Sequence, residues 1–217
     1  MTENRKNLKA EGVILGSKTL GETDKLVFIY TREHGKIKAI AKGAVKQTSR
    51  FGGSLETLNL CKFELYESHN RILITDVKVE KNFSTIQGNL QKITNGLLVT
   101  HLADKFLFEG ETMPEIFDLI KETLEEIAKT KISSLLITTT FLIKFLDILG
   151  LLPNFKETKN FHTELTEKYK KLFNYIQKNS YDKIKRIHLT DKEIIELKEI
   201  LKNLIETETE KPLKIPL

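Results

Sequence analysis

Positions 36–50 hold five basic residues, Lys36, Lys38, Lys42, Lys46 and Arg50, and no acid. The chemistry open to such a run is neutralisation of phosphates with release of their counterions, which requires no base sequence. Strand alternation sets Lys36, Lys38, Ile40 and Lys42 on one face and Ile37, Ala39 and Ala41 on the other. Ser49, Thr48 and the amides near Gly43 and Gly52-Gly53 can add hydrogen bonds to phosphate oxygens. Phe51, between Arg50 and Gly52 in a polar loop, is the candidate for stacking on a base. Phe28 and Tyr30 share one face of a very apolar strand and read as core. Against all this stands a plainer reading, in which lysines on an exposed strand keep the sheet soluble and block edge pairing. The absence of any compensating acid sets the phosphate reading level with it.

No other constellation points to bond chemistry. Gly16-Ser-Lys18-Thr19 lacks the G-x4-G-K-[ST] spacing of a phosphate loop, because Gly12 is one position too near and Ser17 separates Gly16 from Lys18. His34, His69, His101, His162 and His188 are scattered, with no zinc-ligand spacing. There is no G-x-S-x-G elbow, and Cys61 shares its strand face with Phe63 and Leu65, as a core residue does. No catalytic residue, cofactor or metal is expected.

Across 217 residues the formal charge is +5, yet residues 1–50 alone carry 11 Lys/Arg against 5 Asp/Glu, so the surplus lies at one end. The single cysteine excludes an intrachain disulfide and fits a reducing interior. The most apolar window, Ile132–Ile143, is interrupted by serines and threonines and closed by Lys144. It falls short of the roughly 20 apolar residues of a membrane span. A soluble, cytoplasmic protein without membrane contact is expected.

Five β-rich runs, at 10–15, 25–31, 36–42, 58–67 and 71–79, are separated by turn residues such as Arg32-Glu-His-Gly35. That number suits a small barrel of OB or SH3-like type. From Leu90 the period becomes helical. Further helices are expected from a capping box at Thr112-Met-Pro-Glu115, over Ser133–Leu149 with Gly150 as left-handed cap and Pro153 as stop, around 165–176, and after a second box at Thr190-Asp-Lys-Glu193. Residues 206–217 read as a fraying tail. Strands first and helices afterwards give an α+β chain with a boundary near Glu80–Gly88.

Several stretches resemble a known family in order and spacing: Leu20-Gly-Glu22-Thr-Asp24-Lys-Leu26, Thr31-Arg-Glu-His-Gly35-Lys, Ala41-Lys-Gly43-Ala-Val-Lys46, Ser49-Arg50-Phe51-Gly-Gly-Ser-Leu-Glu56 and Phe141-Leu-Ile-Lys-Phe-Leu146-Asp-Ile-Leu-Gly150-Leu-Leu-Pro153. They are similar to RecO-type DNA repair proteins over positions 10 to 155. The resemblance implies a five-stranded OB-fold barrel over residues 1–82 and an all-α helical domain over 83–217. It implies binding of single- and double-stranded DNA, annealing of complementary strands, and help in loading recombinase onto strands coated by single-strand-binding protein. Implied partners are the acidic C-terminal tail of that coating protein and the RecR mediator, with nucleoid association. Lys36, Lys38, Lys42, Lys46 and Arg50 become the DNA contacts, and Gly21, Gly35 and Gly43 backbone requirements. The family's zinc-binding cysteines have no counterpart in residues 154–160, so packing of Phe155, Phe161, Leu165, Leu172 and Phe173 must replace a metal. An RNA-binding OB module and a non-catalytic interaction scaffold are the alternatives.

Overall fold

The computed structural model describes residues 6–69, 71–131, 134–152 and 166–209. Five strands, β1 (Lys6–Leu20), β2 (Asp24–Thr31), β3 (Gly35–Ala41), β4 (Leu60–Ser68) and β5 (Arg71–Lys81), close in the order β1-β2-β3-β5-β4. The sheet is OB-like, with antiparallel neighbours except for the short parallel pairing of Ala39 with Ile72 and Ile40 with Leu73. β1 is much longer than its apolar run predicts. Its first half pairs with β4 and its second half with β2, and a register shift between Ile14 and Gly16 bends the strand so that one segment serves both.

Alternation fills the barrel with Ile14, Val27, Ile29, Ile37, Ala39, Phe63 and Leu65. Burying each of the larger side chains contributes about 1.5–3 kcal/mol. Gly21, Gly35 and Gly43 take φ values of +64°, +62° and +70° at the strand turns, as backbone requirements demand. At Gly35 space is also restrictive, because a Cβ would lie 2.0 Å from the Glu111 carbonyl oxygen.

β2 corrects one expectation. Val27 and Ile29 face inward, so Phe28 and Tyr30, in register with Lys38 and Lys36, lie on the outer face. Tyr30 is buried there all the same, its hydroxyl donating to the Met113 carbonyl at 3.2 Å. Burial pushes its pKa up to about 12. Phe28 is only half-buried.

The change from strand to helix falls between Lys81 and α1 (Ser84–Gln87). Two longer helices, α2 (Leu90–Phe106) and α3 (Pro114–Lys129), follow. The Asn89 side chain caps α2 by accepting from the Lys92 amide. No exchange between Thr112 and Glu115 opens α3; the Met113 carbonyl accepts the amides of Ile116 and Phe117 instead. Ion pairs of Arg32 with Asp118, Glu11 with Lys121 and Lys81 with Glu125 join α3 to the barrel. Residues through Ala128 accordingly form one compact unit, and those from Lys129 a second.

The second unit contains α4 (Ser134–Ile148), α5 (Glu167–Lys178), α6 (Tyr181–Ile184) and α7 (Asp191–Thr209). α4 is apolar on most sides and buried along most of its length. Gly150 at φ +69° ends it, with the Leu151 amide donating to the Leu146 carbonyl at 2.9 Å. The box at Thr190 forms as expected: the Thr190 amide donates to Glu193 Oε2 at 2.8 Å, and the Glu193 amide to Thr190 Oγ1 at 3.3 Å. Phe173 is fully buried and Leu172 partly. Pro153, Phe155, Phe161 and Leu165 lie outside the described residues. No helix among the described residues is long and apolar enough to cross a membrane.

Candidate nucleic-acid interface

Two elements carry the basic run, the strand β3 and the loop that leaves it. On β3 the lysines face outward as alternation requires, but each meets a carboxylate that lies far away in sequence. Lys36 reaches Asp104 on α2, with Nζ 2.8 Å from Oδ1, and also donates to the Asp104 carbonyl oxygen. Its side chain is only 11% exposed, so it is withdrawn from any open phosphate-binding surface. Lys38 is more open and pairs with Glu109. The segment that supplies Glu109 runs beside β3, with the Gly110 amide donating to the Lys36 carbonyl at 3.0 Å.

The loop behaves differently. Lys42, Lys46 and Arg50 are exposed, and none stands within ion-pair distance of a carboxylate among the described residues. A succession of turns shapes the loop: the Lys46 amide donates to Gly43, Ser49 to Lys46 and Gly52 to Ser49. Ser49 Oγ accepts the Phe51 amide at 3.2 Å, which leaves its hydroxyl proton free to donate.

Phe51 requires a correction. It is 2% exposed and belongs to the barrel core with Leu55, so its ring offers no open face to a base. The loop dips inward there through a 3-10 turn at Gly52–Leu55, and the spacing of Phe51 and Leu55 around Gly52-Gly53 is the signal for that anchor. Arg50 lies over the Phe51 ring at 4.9 Å, so core packing holds the arginine at the loop's edge.

Two residues of the outer face were not expected at the interface, Lys18 and Phe28, the latter having been read as core. Phe28 is half-buried, opposite Lys38 across the β2–β3 pair, and Lys18 on β1 stands 5.8 Å from its ring centroid. An aromatic ring beside the Lys18 ammonium suits a base with a flanking phosphate. Val27, Phe28 and Ile29 are all apolar, so sequence alone could not say which of them faces out. Phe108, next to Glu109, is a second aromatic at this edge and is 76% exposed.

Bond-making groups do not gather here. Burial pushes the Cys61 thiol up to about 12, so it stays protonated at neutral pH. Among the described residues no group of three or more His, Cys, Asp or Glu is placed to hold a metal ion.

Comparison with known proteins adds to this geometry. Residues 5–83 match the family described as Recombination protein O N terminal, and residues 87–170 match Recombination protein O C terminal. Among curated relatives, the DNA repair protein RecO of Syntrophobacter fumaroxidans is 32% identical over 148 residues, covering 68% of this chain and 59% of that protein. The DNA repair protein RecO of Caldanaerobacter subterraneus subsp. tengcongensis is 26% identical over 67% of this chain and 59% of its own length. That of Listeria monocytogenes is 32% identical over 67% of this chain and 56% of its own length. The matched stretch thus spans less than two thirds of these relatives. With both terminal halves of one family matched in order over an OB-like barrel and helices, the chain belongs to the RecO family.

Proposed function

We propose that this protein is a DNA-binding mediator of repair and recombination. It anneals complementary strands and helps load recombinase onto strands coated by single-strand-binding protein. The observation that carries this reading is the loop with Lys42, Lys46 and Arg50 free of carboxylate partners, beside the open face that bears Lys18, Phe28 and Lys38. Phosphates would meet the loop cations and Ser49, and an unstacked base would meet Phe28. Binding then places the protein on the nucleoid.

Partner contacts belong to the same proposal. In the helical unit a pocket of about 400 Å³ is lined by Leu136, Ile187, Leu189 and Ile194 together with Lys185, His188, Thr190 and Asp191, and Lys185 is paired with Asp182. Its apolar residues suit the apolar end of the coating protein's tail, and RecR is the second partner of the reading.

The test is annealing of complementary single strands, bare and coated, by wild type and by a Lys42→Glu/Lys46→Glu variant. Wild-type annealing that the variant loses supports the reading. Coated-strand binding that survives the charge reversal supports an interaction scaffold. Preference for a matched RNA over DNA supports an RNA-binding module. With about four phosphate contacts on a single strand, wild-type affinity should fall roughly fifty-fold between 50 and 200 mM salt.

A further inference from the structure

One acid sits within the basic surface. Asp24 opens β2, and its carboxylate feels the charges of Lys42 and Lys46. By charge alone it would oppose every phosphate the loop attracts. Its hydrogen bonds show a different use. The Gly43 amide donates to Asp24 Oδ1 at 2.8 Å, and the Thr23 hydroxyl donates to the same oxygen at 3.0 Å. One residue earlier, the Thr23 carbonyl accepts the Val45 amide at 2.9 Å. Two consecutive residues, Thr23 ending the β1–β2 turn and Asp24 opening β2, therefore hold two amides of the basic loop, immediately beyond the last β2–β3 pair, Lys25 with Ala41. The Gly43 amide is also the largest cause holding the Asp24 carboxyl below its ordinary range.

The far end of the loop is fixed separately, by Phe51 and Leu55 in the core. Lys46 and Arg50 thus hang between a polar anchor and a core anchor, and Lys42 immediately precedes the polar one. We infer that Asp24 is a positioning residue for DNA binding, whose carboxylate oxygen fixes the Gly43 turn so that Lys42 and Lys46 are presented together to phosphates. This role rests on the DNA-binding reading above. It makes the Asp24 oxygen favourable to binding while its charge is unfavourable, and the two effects can be separated by substitution.

Asp24→Asn keeps an acceptor oxygen in place and removes the charge. Asp24→Ala removes both, and Asp24→Gln, one methylene longer, moves the oxygen out of reach and serves as a second loss variant should alanine impair folding. The measurements are single-strand affinity across a salt series and amide hydrogen exchange at Gly43 and Val45 in the free protein. Asp24→Asn is expected to bind at least as tightly as wild type. Losing a charged hydrogen bond should leave the alanine and glutamine variants about fivefold weaker, with a shallower salt slope and faster exchange at Gly43 and Val45. Alanine and glutamine variants that bind as tightly as Asp24→Asn, or whose loop amides exchange as in wild type, would overturn the inference while wild type still binds DNA. Wild type that fails to bind DNA would overturn the reading beneath it, and this role with it.

Discussion

The strand and loop halves of the basic run have the same residue types and opposite environments. On β3, Lys36 and Lys38 each have a carboxylate within reach, Asp104 and Glu109, delivered by α2 and the segment after it. In the loop, Lys42, Lys46 and Arg50 have no carboxylate within ion-pair distance among the described residues, and the nearby Asp24 directs an oxygen at a backbone amide. A cation already paired must give up its carboxylate before it can neutralise a phosphate, so its net gain is small. A free one releases counterions with no such cost. The lesson is that a lysine row should be weighed by which of its members lack partners, and not by its length.

Charge reversal in the loop should separate the two halves most strongly. Lys42→Glu/Lys46→Glu/Arg50→Glu should weaken single-strand binding on the order of 100-fold at low salt and flatten the salt slope by about 2. Circular dichroism should show an intact fold, since all three side chains are exposed. Binding by fluorescence anisotropy at two salt concentrations checks this. If Lys36→Met/Lys38→Met costs as much as the loop reversal, the distinction between the two halves fails.

The pattern of success in the sequence follows from what is local. Gly21, Gly35 and Gly43 mark the turns because a positive φ is a property of one residue, and alternation placed Ile37, Ala39 and Ala41 inside because it spans only a strand. The Thr190–Glu193 box could be read for the same reason. What stayed hidden depends on distant chain. Asp104 lies 68 residues from Lys36, and no period links them. The ends of β1 pair through the backbone, with polar residues such as Lys9 opposite Glu64, and so give no apolar signal. Phe51 and Phe28 were both assigned by their neighbours in sequence. The first lies in a polar loop yet anchors that loop in the core, and the second lies in an apolar strand yet faces out.

Lys198 extends the contrast between partnered and unpartnered cations into the interior. It is 4% exposed on α7, and desolvation alone lowers its pKa from 10.5 to about 8. At neutral pH it is therefore protonated in both states, and the fold bears the cost of burying the charge. Between about pH 8 and 10.5 the unfolded chain holds more protons than the folded one, so this group's contribution to stability rises with pH. Lys198→Met should stabilise the protein by about 2–3 kcal/mol at pH 7 and lose that advantage toward pH 10.5. Urea unfolding of both proteins across this range tests the difference. The comparison of two curves is needed because Cys61, whose pKa is raised, makes stability fall above its unfolded value of 9 in both. A constant gap between the curves would assign the gain to packing.

A partnered lysine should behave in the opposite way. Lys36→Met removes a cation that is held against a half-exposed carboxylate, which is expected to cost about 1–2 kcal/mol of stability. DNA affinity should stay within about twofold of wild type, since no phosphate contact is lost. Denaturation and anisotropy on the same preparation separate the two effects. A large affinity loss with unchanged stability would return Lys36 to the DNA surface.

The smallest effect converts one half of the run into the other. Glu109→Gln keeps the size of the side chain but removes the charge that pairs with Lys38. Lys38 then resembles a loop lysine, outward-facing and opposite Phe28. The lost pair is exposed on both sides and should change stability by less than about 1 kcal/mol. Single-strand affinity at low salt should rise about twofold, and the salt slope should steepen by roughly 0.7, the contribution of one added phosphate contact. The slope is the informative readout, because a rise in affinity with no change in slope would mean that removing Glu109 merely relieved repulsion. In that case Lys38 belongs with Lys36, and the DNA surface is confined to the loop.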